Sequence, residues 1–122
     1  MSLIRLWLRD RAGATAVEFA MLAPAFLALL FGIVQGGLML WTQLALQQAT
    51  ERAARCASMN KSVCGSATQT KAFAASQTLG RNLPTDSFTV ATLACGSFVT
   101  GAYGAPLLTY TVELKAQSCF PQ

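Results

Sequence analysis

The 122-residue sequence contains no histidine and only five acids, Asp10, Glu18, Glu51, Asp86 and Glu113. Imidazole acid–base chemistry, histidine-based triads and histidine-containing zinc sites are therefore excluded. No two acids are close enough in sequence to suggest a carboxylate pair on one face, so no catalytic residue is assigned and no enzyme is expected. Charge of either sign is scarce: 11% of residues are charged, against roughly 25% in an ordinary soluble domain. With 53% hydrophobic residues, the chain carries more apolar surface than a small core uses, which points first to a membrane.

A basic stripe interleaved with aromatics is also missing. The net charge of +4 draws on Arg5, Arg9 and Arg11, which stand just ahead of an apolar stretch. The remaining basic residues, Arg52, Arg55, Lys61, Lys71, Arg81 and Lys115, are scattered. Such a distribution does not neutralise a phosphate backbone, so no nucleic-acid partner is expected. Nothing marks a small-molecule substrate or a cofactor.

What is present is a long uncharged segment. Between Glu18 and Glu51 no residue is charged, and Phe19–Val34, continuing through Leu38-Met-Leu-Trp41, is strongly apolar. Roughly 20 such residues cross a bilayer, which places a transmembrane segment at about 19–41. The arginines before it and Trp41 at its far end fit a cytoplasmic N-terminus and an interfacial anchor on the outer side. From Leu44 to Arg55 the composition stays helix-forming, without Gly or Pro. A helix over 14–56 is predicted, roughly 60 Å long at about 1.5 Å per residue, with Leu38, Trp41, Ala45 and Ala49 facing the following domain. Pro24 predicts a kink or loosened turn. Ala28, Gly32 and Gly36 recur every fourth residue as a candidate helix-packing face, although small residues are common in spanning helices generally.

Glu18 stands at the head of this segment. A carboxylate there is either solvated at the interface, where it complements the helix dipole, or functional, because an unpaired intramembrane acid is costly. Its context, Arg9-Asp-Arg-Ala-Gly13-Ala-Thr-Ala-Val-Glu18-Phe19, resembles the prepilin signal of the type IV filament superfamily. That resemblance implies a leader over 1–13, cleavage by a prepilin peptidase between Gly13 and Ala14, and Glu18 as the fifth residue of the mature chain. An ordinary secretory signal fits less well. Its apolar region precedes the cut, whereas here the apolar run follows Gly13.

Gly13-Ala-Thr-Ala-Val-Glu-Phe-Ala-Met-Leu-Ala-Pro24, followed by a Leu/Phe-rich helix, resembles the TadE-like proteins of tight-adherence (Flp) pilus systems. Ala54-Arg-Cys-Ala57, Phe88-Thr-Val-Ala-Thr-Leu-Ala-Cys-Gly96 and Ala116-Gln-Ser-Cys-Phe-Pro121 are similar to stretches of the same family. Phe19 departs from the Tyr typical of the major pilins at this position. With the greater chain length, it favours a minor pilin or pseudopilin over the main filament subunit.

The four cysteines, Cys56, Cys64, Cys95 and Cys119, all follow the apolar segment. An even number on one side of an anchor reads as two disulfides in an oxidising compartment. A four-cysteine zinc site is the rival, weakened by the absence of any CxxC pair, and no metal is assigned. Three pairings are open; Cys56–Cys64 with Cys95–Cys119 is preferred, the first as a short loop and the second as the closure of a three-strand meander. Ser58–Ser66 reads as turn-rich, Ala67–Leu79 as a short helix ended by Gly80, and Arg81–Thr85 as a linker. Phe88–Leu93 and Leu108–Leu114 alternate in period two and read as strands. Ser97–Tyr103 is a weaker strand candidate, with the next turn at Gly104 and Pro106. Phe98, Tyr103 and Tyr110 are expected in the core or on a sheet face.

The expected fold is thus α+β and pilin-like: a long N-terminal helix packed against a small antiparallel sheet, with 57–122 as an extracytoplasmic domain. The resemblance implies an inner-membrane protein with one span and an outer C-terminal domain, which helps assemble a tight-adherence pilus for surface adhesion. Its implied partners are the prepilin peptidase, other pilins or pseudopilins, the assembly platform and inner-membrane lipid. The competing reading is an uncleaved single-span anchor whose outer domain binds a protein.

Overall fold

The structure, a computed structural model, describes residues 12–122; residues 1–11, with Arg5, Arg9, Asp10 and Arg11 and most of the expected leader, lie outside the described residues. Helix α1 spans Ala12–Met59 and continues through Pro24. A single-turn α2 (Lys61–Cys64) and α3 (Ala67–Ser76) follow, then a 3-10 turn at Thr85–Ser87 and strands β1 (Phe88–Leu93), β2 (Gly96–Leu107) and β3 (Tyr110–Phe120). The strands form one antiparallel sheet in the order β1-β2-β3. This is the expected α+β, pilin-like arrangement of a long apolar helix with a three-strand sheet. The chain divides into two compact units, one ending at Gly36 and the other spanning Gly37–Gln122.

In the second unit, α1 packs on the sheet through Thr42, Ala45, Leu46, Ala49, Thr50, Ala53, Ala54 and Ala57, all buried. Spacings of three and four place most of them along one stripe of the helix. The core that Leu46, Ala49, Ala53 and Ala54 build with Ala74, Leu83, Phe88, Val99 and Ala116 is dominated on the helix side by alanine, so backbone and sheet approach closely. The two threonines buried on α1 are satisfied within the helix: Thr42 donates to the Leu38 carbonyl and Thr50 to the Gln47 carbonyl, each at 2.8 Å. Their hydroxyls are thereby occupied, and the Thr50 methyl faces the sheet.

This face differs from the expected one. Ala45 and Ala49 are buried, but Leu38 and Trp41 are 50% and 55% exposed, because the packed stripe begins at Thr42, beyond both of them. The helix also extends to Met59, into the stretch expected to be turn-rich. A single turn of helix then occupies Lys61–Cys64, with the Val63 and Cys64 amides donating to the Asn60 carbonyl. The Cys56–Cys64 disulfide, with 5.7 Å between Cα atoms, closes this fold-back.

Helix α3 starts on a capping box in which Ser66 and Gln69 exchange side-chain and backbone hydrogen bonds. It ends at Ser76, short of the expected Leu79. Thr78 is buried, with its hydroxyl between the Ala75 and Arg81 carbonyls, and Leu79 at φ 51° is incompatible with continued right-handed helix.

Strand β1 matches its expected bounds, whereas β2 and β3 are longer than expected. The chain does not turn at Gly104 and Pro106, since both lie in β2, opposite Glu113 and Thr111. Pairing with β1 ends at Gly101, so β2 beyond that point has one open edge, where proline is tolerated. The turn falls instead at Leu108-Thr109, and β3 runs on to Phe120. Phe98 and Tyr103 are half-buried, but Tyr110 is 63% exposed.

Gly101 marks the closest approach of helix and sheet. A Cβ there would stand 2.7 Å from Leu46 Cδ1 and 3.1 Å from Thr50 Cγ2. We expect Gly101→Val to overpack this contact and cost about 1–3 kcal/mol, measured as a lowered denaturation midpoint of the purified chain; an unchanged midpoint would show that the contact is slack.

Candidate functional site

The residues singled out by the sequence fall on two parts of the fold. Gly13, Ala14, Glu18 and Phe19 lie in the first turns of α1, and Ala28, Gly32 and Gly36 lie further along the same helix. Exposed here are Val17, Phe19, Met21, Leu22, Phe26, Leu29, Phe31 and Ile33. Such a surface cannot stay in water without aggregating. Among the described residues, this is the one helix long and apolar enough to cross a membrane, and none of its most apolar window is buried.

Glu18 is exposed within that apolar surface and makes no ion pair among the described residues, whose one ion pair joins Lys115 to Glu113 at 2.9 Å. Its apolar neighbours in sequence, Val17 and Phe19, are 60% and 74% exposed. An added Cβ at Gly13, Gly32 or Gly36 would meet nothing within 4 Å. The fold of this chain therefore makes no demand for glycine at these positions.

The cysteines form the second group. Cys56 pairs with Cys64 and Cys95 with Cys119, the pairing preferred from the sequence. All four thiols are consumed, so the four-cysteine zinc site does not form. The second bridge needs the chain to reverse tightly after Cys95. Gly96 supplies this at φ 118°, and a side chain there would run into the Phe120 carbonyl.

Two open grooves flank the helix–sheet seam of the second unit. One, of about 520 Å³, is lined by Gln48, Glu51, Arg52, Arg55, Ser118 and Phe120. Its arginines are engaged by the protein itself: Arg52 donates to Gln77 at 2.8 Å, and the Arg55 guanidinium lies 5.1 Å from the centre of the Phe120 ring. The other, of about 750 Å³, runs past Thr50, Gly101 and Gln117. Among the described residues no buried side-chain polar atom lacks a partner, and no group of three or more acids or cysteines is placed to hold a metal. Neither groove presents a constellation for chemistry.

The exposed apolar helix is thus the feature that calls for a partner, and here a family model described as TadE-like protein matches residues 13–55. Over these residues the chain is similar to TadE-like proteins. The matched segment begins at Gly13 and takes in all of the exposed apolar run together with the buried stripe from Thr42 to Ala54. TadE-like proteins are pilin-type and generally structural rather than enzymatic. No curated protein and no solved structure matches the chain.

Sequence reasoning missed the stripe of Thr42, Leu46 and Thr50, reading Leu38 and Trp41 as its start. Alternation of small and polar residues within Thr42–Ala54 was the available signal, since Gln43, Gln47 and Glu51 interrupt the buried positions at helical spacing. Because Gly32 and Gly36 touch nothing in the isolated chain, Gly32→Leu and Gly36→Leu should leave its thermal denaturation unchanged while weakening self- or cross-association of the helix in a membrane two-hybrid assay. A lowered melting temperature would make these glycines structural.

Proposed function

We propose that this protein is a minor pilin or pseudopilin of a tight-adherence pilus, cleaved by a prepilin peptidase between Gly13 and Ala14 and inserted once in the inner membrane. In this reading its N-terminus is cytoplasmic, its disulfide-bearing domain extracytoplasmic, and its partners are other pilins or pseudopilins and the assembly platform. The observation that carries the proposal is Glu18, a carboxylate set in a helix surface that is otherwise apolar and exposed. The match over residues 13–55, which opens at the glycine of the leader motif, supports it.

The chemistry of the cut gives Glu18 a purpose. Hydrolysis of the Gly13–Ala14 peptide leaves a positively charged α-amino group on Ala14. Each charge is costly alone in an apolar bundle, and together they form a charge-assisted hydrogen bond that fixes axial register between subunits. Ala14 and Glu18 are also one helical turn apart in the same chain. An uncut leader would place a peptide bond where the amine is needed. Small residues at Ala28, Gly32 and Gly36 let neighbouring helices approach closely in the same bundle. Two disulfides suit an outer domain in an oxidising compartment.

N-terminal sequencing of the membrane-extracted protein should begin at Ala14, and Gly13→Val should abolish the size shift on blotting. A first residue other than Ala14 would overturn the cleavage assignment and favour the uncleaved anchor. Glu18→Ala should insert and be processed normally but fail to co-purify with the pilus machinery; assembly at the wild-type level would remove the role given to the carboxylate.

A further inference from the structure

We infer that the outer edge of β3 is an interface for a second copy of this chain, whose own β3 adds to it antiparallel, with Glu113 of each copy opposite Lys115 of the other. The contact lies wholly within the Gly37–Gln122 unit and goes beyond the role proposed for α1.

Strand β3, 11 residues long, pairs with β2 on one side and with no strand on the other. Which of its backbone groups face outward follows from the turn. Leu107 and Tyr110 close a two-residue hairpin, and the pair that closes such a turn is hydrogen-bonded. Even-numbered residues of β3 therefore bond to β2, and Thr111, Glu113, Lys115, Gln117 and Cys119 turn their N–H and C=O groups outward. The Gln43 side chain agrees with this parity, since its Nε2 donates to the Lys115 carbonyl at 2.8 Å. Among the described residues no other hydrogen bond reaches this edge, and an edge so open is a template for another strand. The other open edge, β2 beyond Gly101, is poorer: its outward positions are Ala102, Gly104 and Pro106, and proline has no donor.

The side chains select the partner. Thr111, Glu113, Lys115 and Gln117 are exposed on the face away from α1, while Val112 and Leu114 are half-buried and Ala116 buried on the α1 side. Glu113 and Lys115 are the only charges on the strand; within one chain they pair at 2.9 Å, with side chains 69% and 70% exposed. About a two-fold axis at Leu114, Glu113 meets Lys115 of the second copy and Lys115 meets its Glu113. Thr111 then meets Gln117, Val112 meets Ala116 and Leu114 meets Leu114. Opposite charges, polar pairs and apolar pairs fall together in the one register that also brings outward N–H and C=O groups face to face. Sliding by two residues sets Glu113 against Glu113 or Lys115 against Lys115, and sliding by one misaligns the hydrogen-bonding groups.

The edge has room for this strand. The open groove of about 750 Å³ lined by Gln47, Thr50, Glu51, Ala116 and Gln117 lies on the α1 side, where Val112 of the second copy falls opposite Ala116. Helix α1 seats on β2 at Gly101, so the two helices stand roughly three strand spacings, about 14 Å, apart at that level, beyond the 8–10 Å or so of packed helices. The Lys115 carbonyl keeps a second lone pair for the incoming Glu113 amide beside Gln43. Because the axis stands normal to the sheet, the two α1 segments beyond Gly37 run antiparallel. The contact therefore joins copies that point in opposite directions, not neighbours inserted alike in one bilayer.

The test is analytical ultracentrifugation of the full-length chain in detergent micelles, which leave its orientation free; a reversible dimer is expected. Glu113→Lys alone and Lys115→Glu alone set like charges across the axis and should each weaken dimerisation by on the order of tenfold. An equimolar mixture of the two variants should restore it, because the lysines of one copy then face the glutamates of the other. Each variant has lost the ion pair within its own chain, so mixing repairs only a contact between chains. Leu114→Cys, on the axis, should cross-link to itself under mild oxidation. A wild-type chain that stays monomeric, or a dimer in which Leu114→Cys does not cross-link, would overturn the proposal. So would single variants that dimerise like the wild type, or a mixture no tighter than its components; the association would then belong to another surface, such as the apolar helix, and the role proposed for α1 would stand.

Discussion

The sheet domain depends on one contact, the seating of β2 against the face of α1 from Thr42 to Ala57. Alanines and methyl-bearing threonines keep that face shallow, and Gly101 removes the one Cβ that would hold helix and sheet apart. Close approach lets Leu46, Phe88 and Val99 meet in a core this small. The position of β2 then determines that of its neighbours, since β1 pairs with its first half and β3 with its whole length. A bulkier helix face would leave Phe88 and Val99 without cover, and a core with few large side chains has little to lose.

The same helix must satisfy two surroundings, and its sequence changes accordingly. From Ala16 to Gly36 its exposed residues are apolar except for Glu18, as in a segment that lipid or other helices cover. Beyond Thr42 it becomes amphipathic, with Gln43, Gln47, Glu51 and Arg52 interrupting the buried small residues. Glu18 is the charged exception in the first part. Its carboxylate has no folding role that the described residues reveal, and the processed N-terminus proposed here gives it a chemical partner. A helix with only one environment would need neither the change of pattern nor the isolated acid.

Much of this was legible in the residues because the signals were long or chemically unusual. The uncharged run from Phe19 to Thr50 and the acid at its head do not depend on tertiary context. Phe88–Leu93 alternates cleanly and has its expected bounds. Legibility failed where tertiary contacts override local preference. Pro106 reads as a turn residue, yet it lies in a strand because β1 stops short and leaves that edge open. Leu108 reads as a strand residue, yet it forms the turn in a conformation that leucine rarely takes. Trp41 belongs to the apolar pattern of the helix, but the sheet's cover begins only at Thr42.

The distribution of covalent and noncovalent ties gives these local departures a common sense. Both disulfides lie toward the Arg55 end of the domain: Cys56–Cys64 closes the end of α1, and Cys95–Cys119 ties the β1–β2 turn to the end of β3. Toward Trp41 there is no such closure. The hairpin is held there by the Gln43–Lys115 hydrogen bond and by burial of residues such as Ala105. Disulfides restrict opening where they lie, whereas a hairpin end held by noncovalent contacts can open locally at lower cost. The Trp41 end of the domain is therefore the one that can loosen first, while the end closed by the two disulfides holds its register.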